Sequence, residues 1–325
     1  MTTRRLFGAL CLSLGALLVN APAHADAYPS KPIRLVVPWA PGTPGDVAGR
    51  IVAERMAANL GQSIVVDNKP GASGTVGLAD ALRQPADGYT VYLLASPATL
   101  VAPVILLTFK TDIQNSLAPV GLMAWSYNVL IVGANSTYKS PQDIVAAAKA
   151  KPGSLSFASG GNGTPAHLAG ELFKQKAGMQ AVHVPYNQFS MAITDMVSGR
   201  LDFMFLTSAA AIPQIAGGKL RALAASGTKR LAALPEVPTM GEQGFPEVVV
   251  RSFEMMTVKH GTPPEVIEKL NAALNAAVAQ PSVKEKFDGL GLVADPMSPG
   301  QALKTLSAEQ ASLLAFVRSI SLKAE

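Results

Sequence analysis

Residues 33–60 read IRLVVPWAPGTPGDVAGRIVAERMAANL, and the class of fold turns on how that stretch divides. Ile33 to Val37 is a short apolar run rich in β-branched residues, the pattern of a buried strand. Pro38 to Gly45 then holds three prolines and two glycines, so neither strand nor helix continues through it. Thr43 reads as a helix N-cap, Pro44 as the first helical residue, and Asp46 as the acid of a capping box. Val47, Ile51, Arg55 and Met56 follow at helical spacing. A strand that delivers its chain to a helix through a tight turn sets backbone N–H groups at the carboxyl edge of a sheet. Open α/β sheets bind ligands at that edge, and negative groups are favoured there.

The alternation continues outward. Ile64-Val65-Val66 reads as a strand, Asp67 to Thr75 as a glycine-rich turn, Val76 to Arg83 as a helix and Tyr89 to Ala95 as a strand. Ser96-Pro97-Ala98-Thr99 opens another helix. This βαβαβα order predicts a parallel sheet with helices on both faces. Val120 to Val132 is extended for longer than an ordinary strand and is expected to cross from one lobe to another, with Phe253 to Lys259 as the return. Between them lies a second series of strands (Leu155–Ala158, Val182–Tyr186, Leu201–Leu206, Leu220–Ser226). Helices alternate with these, starting at Ser140-Pro141, Ala166, Ala192 and Ala211. Helices over Pro263–Ala279, Val283–Gly289 and Pro299–Ile320 close the chain.

Met1 to Ala25 reads as an export leader. Arg4 and Arg5 form its basic region, Leu6 to Val19 an apolar run too short to span a bilayer, and Ala23-His24-Ala25 a small-x-small cleavage site. Thr3 to Phe7 also resembles a twin-arginine signal. The chain is therefore expected to be exported, with the mature chain starting near Asp26. The single cysteine, Cys11, falls in this leader, which excludes disulfides, thiolate metal sites and cysteine nucleophiles from the mature protein. Removing Arg4 and Arg5 lowers the formal net charge from +5 to +3. That mild, dispersed excess suits small anionic ligands and excludes a nucleic-acid partner, since no Lys/Arg cluster is interleaved with aromatics.

The turn Ser159-Gly160-Gly161-Asn162-Gly163-Thr164 is a second candidate anion cradle, mirroring Gly42-Thr43-Pro44. Ser140-Pro141, Thr262-Pro263 and Ser298-Pro299 start helices with the same hydroxyl-then-proline pair, each with Asp, Glu or Gln three residues after the cap. A cap by itself is therefore structural in this chain. Thr164 differs: three residues on stands His167, so a ligand carboxylate meets less competing negative charge there. Asp202 reads as a loop-holding residue at a strand start or a contact for a ligand amine. The mature histidines, His167, His183 and His260, are not clustered, and no metal, dinucleotide, Walker or serine-elbow motif occurs, so no cofactor and no metal are expected.

Several segments together resemble the Bug/TctC family, the periplasmic solute receptors of tripartite tricarboxylate transporters. They are Tyr28-Pro29-Ser30-Lys31-Pro32-Ile33-Arg34-Leu35-Val36-Val37-Pro38, Val66-Asp67-Asn68-Lys69-Pro70-Gly71-Ala72, Ala86-Asp87-Gly88-Tyr89-Thr90, Gly163 to Phe173, Val184-Pro185-Tyr186 and Leu234-Pro235-Glu236-Val237-Pro238-Thr239. The resemblance implies an α/β, two-lobed, type II Venus-flytrap protein, each lobe a mostly parallel sheet flanked by helices. Residues 26–125 and 252–325 would form one lobe and 126–251 the other. It implies capture of a small organic acid (a di- or tricarboxylate or an aromatic carboxylate) for membrane permease subunits, by a monomer and without catalysis. Carried over by position, the expected ligand contacts are Trp39, Thr43, Asp46, Ser73, Ser96, Thr99, Ser159, Thr164, His167 and Tyr186. Gly160 joins them from the cradle and Asp202 as the amine contact. The chain departs from the family at Ala40-Pro41-Gly42-Thr43-Pro44-Gly45-Asp46, at Asn187-Gln188-Phe189, where Lys-Gly is common after the tyrosine, and at Leu206, where aspartate is frequent. Losing a lysine and an acid while gaining Phe189 favours a less polar ligand. Two other readings stay open at this point: a secreted hydrolase using Ser159 or Ser73 with His167, and a sensory partner of a membrane kinase.

Overall fold

The structure is a computed structural model that describes residues 28–106, 108–186 and 188–320. The leader expected over residues 1–25, with Arg4, Arg5 and Cys11, lies outside the described residues. Strand β1 (Ile33–Val37) leads into α1 (Pro44–Leu60), and β2 (Ile64–Asn68) through a 3₁₀ turn (Ala72–Gly74) into α2 (Thr75–Leu82). β3 (Thr90–Ala95) and α3 (Ala98–Ile105) complete the first alternating set. β1 pairs in parallel with both β2 and β3, because each βα crossover returns its strand in the same direction.

A short helix, α4 (Ile113–Ser116), precedes β4 (Leu117–Gly133). This long strand is the spine of the molecule. Its first part, Leu117 to Tyr127, runs antiparallel to β9 (Arg251–Lys259), which in turn lies antiparallel to β3. Its last part, Asn128 to Gly133, runs antiparallel to β7 (Phe203–Thr207) on one side and β8 (Leu220–Ala225) on the other. The second parallel set is β7, β5 (Ser156–Ser159) and β6 (Val182–Pro185). Each half thus holds three parallel strands, as the alternation predicts, and the strands that join the halves make the whole sheet mixed.

Helices α5 (Pro141–Ala150), α6 (Pro165–Ala177), α7 (Phe189–Val197) and α8 (Ser208–Ala216) serve the second half. Helices α9 (Pro264–Val278), α10 (Pro281–Gly289) and α11 (Pro299–Ser319) follow β9, with β10 (Leu292–Val293) pairing with β4. The apolar core falls into separate clusters. Ile33, Leu35 and Val37 pack with Val52, Ala124, Met256 and Leu274; Leu130 and Val132 pack with Ala169, Phe173 and Phe205. Among the described residues no helix is long and apolar enough to cross a membrane.

Ser140 and Ser298 form complete capping boxes with Asp143 and Gln301, as their spacing predicts. The box predicted at Thr43 and Asp46 does not form. The Thr43 hydroxyl donates to the Ala40 carbonyl at 2.8 Å, and the Asp46 carboxylate accepts from the Gly42 N–H instead. Thr262 likewise caps nothing: its hydroxyl donates to the Lys259 carbonyl, and α9 begins one residue later than expected, at Pro264. In both places the chain turns sharply just before the helix, and the hydroxyl satisfies the turn.

Candidate functional site

The carboxyl ends of the two parallel sets meet along the middle of β4. On the first side these ends are Val37, Asn68 and Ala95; on the second they are Ser159, Pro185 and Thr207. Ser126 pairs with Ser252 and Asn128 with Thr207, so β4 passes from one set to the other within about two residues. Successive side chains alternate across a strand, which puts Ala124, Ser126, Asn128 and Leu130 on one face. Ala124 belongs to the cluster covered by α1, and Leu130 to the cluster covered by α6. The N-termini of α1 and α6, each opened by Thr-Pro, therefore stand at the carboxyl edges of the two sets, which look toward each other across β4. The two halves also touch: Val101 of α3 packs with Leu168 of α6 and Val317 of α11.

On the first side, Asp46 is buried and accepts from Gly42 N–H at 2.8 Å, Asn68 Nδ2 at 2.8 Å and Arg50 Nε at 3.0 Å. Burial alone would raise its pKa, but the hydrogen bonds from Arg50, Asn68 and Gly42 outweigh that and hold it below the usual carboxylate range. Asp46 is thus committed to bracing the turn. Its carboxylate does not cap α1, and the helix has no side-chain cap. First-turn N–H groups without an intrahelical acceptor are the part of a helix that takes up anions. Trp39 lies across Gly45; a Cβ there would stand 2.7 Å from the indole, so glycine is what lets the ring lie flat against the helix start. Ser73 and Thr99 are joined, the Thr99 hydroxyl donating to the Ser73 carbonyl at 2.8 Å. The Ser96 hydroxyl is buried and has no partner among the described residues.

On the second side, the Ser159 hydroxyl is fully buried and lies 2.6 Å from His183 Nε2. It also accepts from Gly161 N–H at 3.0 Å. Thr164 Oγ1 donates to the Gly161 carbonyl at 2.7 Å and receives only a long 3.4 Å bond from His167 N–H. His167 Nδ1 accepts from Gly163 N–H at 3.2 Å, and its ring stacks on His183 with centroids 4.0 Å apart. Burial pulls both imidazoles down to about 4, so both are neutral near pH 7. Gly160 lies under Phe189, where a Cβ would stand 2.8 Å from the ring. The Tyr186 hydroxyl donates to Asp195 at 2.7 Å, and Asp195 is paired with Arg200.

Placement decides between the two readings of Asp202 and locates Leu206. Asp202 is at the other end of β5: it accepts from Ser156 N–H at 2.7 Å and from the Ser156 hydroxyl, holding the strand start rather than facing the turns. Leu206 is fully buried among Val129, Met204 and Ala211, so its side chain belongs to the core.

Sequence reasoning passed over a second group, on the strands between the turns. Asn128, Ser252 and Glu254 are buried, and each has side-chain atoms with no hydrogen-bond partner among the described residues. Burial pushes the Glu254 carboxyl up to about 7. The signal was present as polar residues in two strands otherwise built of core, but nothing local said that strand pairing would bring them to the crossing between the halves. Ser226 was missed too. Its hydroxyl accepts from Asn128 N–H at 2.9 Å and donates to the Val250 carbonyl at 2.5 Å, tying the two crossing segments together. Among the described residues no three His, Cys, Asp or Glu side chains are grouped to hold a metal ion.

Residues 48–320 match the family described as "Tripartite tricarboxylate transporter family receptor", TctC. A relative from Pseudomonas sp. strain P51, the UPF0065 protein in the tcbD-tcbE intergenic region, is 36% identical over 290 residues, 89% of this chain and 86% of its own. The periplasmic binding protein BugD is 28% identical, with a TM-score of 0.78 over 92% of this chain and 100% of its own. The R. palustris protein Rpa4515, solved with adipate, is 28% identical, with a TM-score of 0.82 over 92% of this chain and 100% of its own.

Proposed function

The chain belongs to the TctC family of tripartite tricarboxylate transporter receptors, and on that premise we propose that it captures a small organic carboxylate between its two halves and presents it to a membrane permease. The family's members are binding proteins and not enzymes. The observation that carries the reading is the pair of Thr-Pro helix starts, α1 and α6, at sheet edges that face each other across β4, with α1 lacking a side-chain cap. Two such N-termini hold a carboxylate without a guanidinium, each dipole contributing roughly 0.3–1 kcal/mol, more when partly buried. The adipate bound by Rpa4515 supports the ligand class.

In this reading residues 26–125 with 252–325 form one lobe and 126–251 the other, hinged where β4 and the chain before β9 cross. Ligand shifts an open–closed equilibrium toward the closed form, which docks on the permease. The protein works as a monomer in the periplasm, after removal of the leader. Phe189 over Gly160 supports a ligand with an apolar face, an aromatic carboxylate among them. A thermal-shift screen of mono-, di-, tricarboxylic and aromatic acids, followed by calorimetry on the hits, tests the proposal. Binding that Thr164→Pro abolishes is the expected result. A mature protein whose melting temperature no acid moves would overturn it.

A further inference from the structure

A group of buried polar side chains lies on the strands between the two turns. Glu254 sits in register between Ala95 on β3 and Ala124 on β4, and the one-carbon side chains on both sides leave its carboxyl uncrowded on that face. One position along, Ser252 faces Ser126, and Asn128 follows Ser126 on the same face. Glu254 is 8% exposed, Ser252 7% and Asn128 1%, yet Glu254 Oε2, Ser252 Oγ and both side-chain heteroatoms of Asn128 have no hydrogen-bond partner among the described residues. Ser96 Oγ, at the adjoining end of β3, is in the same condition. An unsatisfied buried polar atom is destabilising, and several gathered where the strands cross are retained where something pairs with them.

We propose that Glu254, with Asn128, Ser252 and Ser96, is a specificity subsite for a protic, non-anionic group, a hydroxyl or an ammonium, carried by the same ligand whose carboxylate lies at the turns. This rests on the organic-acid reading above and narrows it. A hydroxyl satisfies Glu254 whether its carboxyl is protonated or ionised, since it both donates and accepts, whereas an ammonium only donates and pairs with the ionised form. A second carboxylate pairs with it only when Glu254 holds its proton and is repelled otherwise. Asn128 and the serines, which both donate and accept, complete the shell around either protic group.

The test compares matched acids that differ only at the far end: adipate, ε-hydroxycaproate and ε-aminocaproate, and terephthalate, p-hydroxybenzoate and p-(aminomethyl)benzoate. Calorimetry is run on the full mature protein and on Glu254→Gln, below and above neutral pH. In at least one triad, wild type is expected to bind a protic member about tenfold or more tighter than the dicarboxylate. Glu254→Gln is expected to collapse that ratio by a similar factor. The amino arm leading identifies an ammonium, and the hydroxyl arm a neutral donor. Dicarboxylates binding wild type at least as tightly as both protic partners, or a ratio unchanged in Glu254→Gln, overturns the subsite while leaving organic-acid capture standing. Wild type binding none of the six, and no acid of the wider screen, overturns both. Ser252→Ala, which removes one hydroxyl, is read the same way if Glu254→Gln does not fold.

Discussion

Ser159 Oγ and His183 Nε2 are 2.6 Å apart, and the His183 ring lies flat against that of His167, 4.0 Å between centroids. The first pair has the spacing of a nucleophile and its base. Here, however, the serine oxygen is fully buried and shared with the Gly161 N–H, so it is occupied in shaping the turn. The contact makes the turn acid-sensitive. Burial first, and then the charge of Lys174, lowers His167; burial, then His167, lowers His183. Both fall from an ordinary value near 6.5 to about 4. A depressed folded-state pKa means that the unfolded chain binds the extra protons. Stability from this pair is therefore present above pH 6.5 and lost as pH falls toward 4. Protonated His167 also cannot accept from Gly163 N–H. The melting temperature is expected to drop through that window and the drop to flatten in His183→Gln. Identical pH profiles for the two proteins would remove the histidines as its cause.

Trp39 and Trp125 are the two tryptophans, and they report on different places. Trp39 lies across the start of α1, whereas Trp125 donates to Asp295 at 2.9 Å and lies under Arg251, 3.9 Å from its ring. Ligand is expected to change the emission of Trp125→Phe, which keeps Trp39, and to leave that of Trp39→Phe nearly constant. Gly45→Ala drives a methyl into the indole and is expected to weaken binding several-fold and to cost about 1–3 kcal/mol of stability. The reverse assignment of the fluorescence change would move the ligand away from α1.

The hydroxyl-proline helix starts allow a control within one molecule. Ser298 makes a capping box far from the turns, and Thr164 a looser cap beside His167. Either residue changed to Ala is expected to cost about 1 kcal/mol of stability by urea unfolding. Only Thr164→Ala should also weaken ligand binding. Equal affinities in the two variants would make Thr164 a cap and nothing more.

The contrast between these starts also marks how far the sequence could be read. Periods of two and of three to four, punctuated by Gly and Pro, are local, and so strands and helices from Ile33 to the end of α11 were legible within a few residues. The length of the run from Val120 to Val132 announced the crossing strand. What a polar side chain bonds to is a matter of tertiary contact, and there the reading failed. Asp46 has capping-box spacing but is claimed by Arg50 and Asn68, 22 residues on in the second case. Asp202 holds the start of β5, one of its two readings, and which of them applies is visible only once β5 and β7 pair. Ser226, Asn128 and Val250 meet across 98 and 24 residues of chain. Short α4 and two-residue β10 were invisible because elements that small are set by what they pack against.

Glu254 runs against the histidines in pH dependence. Burial raises its carboxyl from an ordinary value near 4.5 to about 7. A raised folded-state pKa contributes stability that is complete below 4.5 and is lost as pH rises through 7. The whole span corresponds to about 3 kcal/mol at an order-of-magnitude level. Glutamine keeps the size of the side chain and has no proton to lose. Glu254→Gln should therefore match wild type near the acid end of the range and exceed its stability by up to about that amount well above neutrality. Between 4.5 and 6.5 the two trends oppose each other, since the histidines gain stability as Glu254 loses it. Removing the glutamate should accordingly steepen the acid-side decline, whereas His183→Gln flattens it. Urea unfolding across this range, without ligand, reads both slopes. A constant gap between wild type and Glu254→Gln at every pH would mean that Glu254 titrates like an exposed glutamate, and the buried acid between the turns would lose its physical basis.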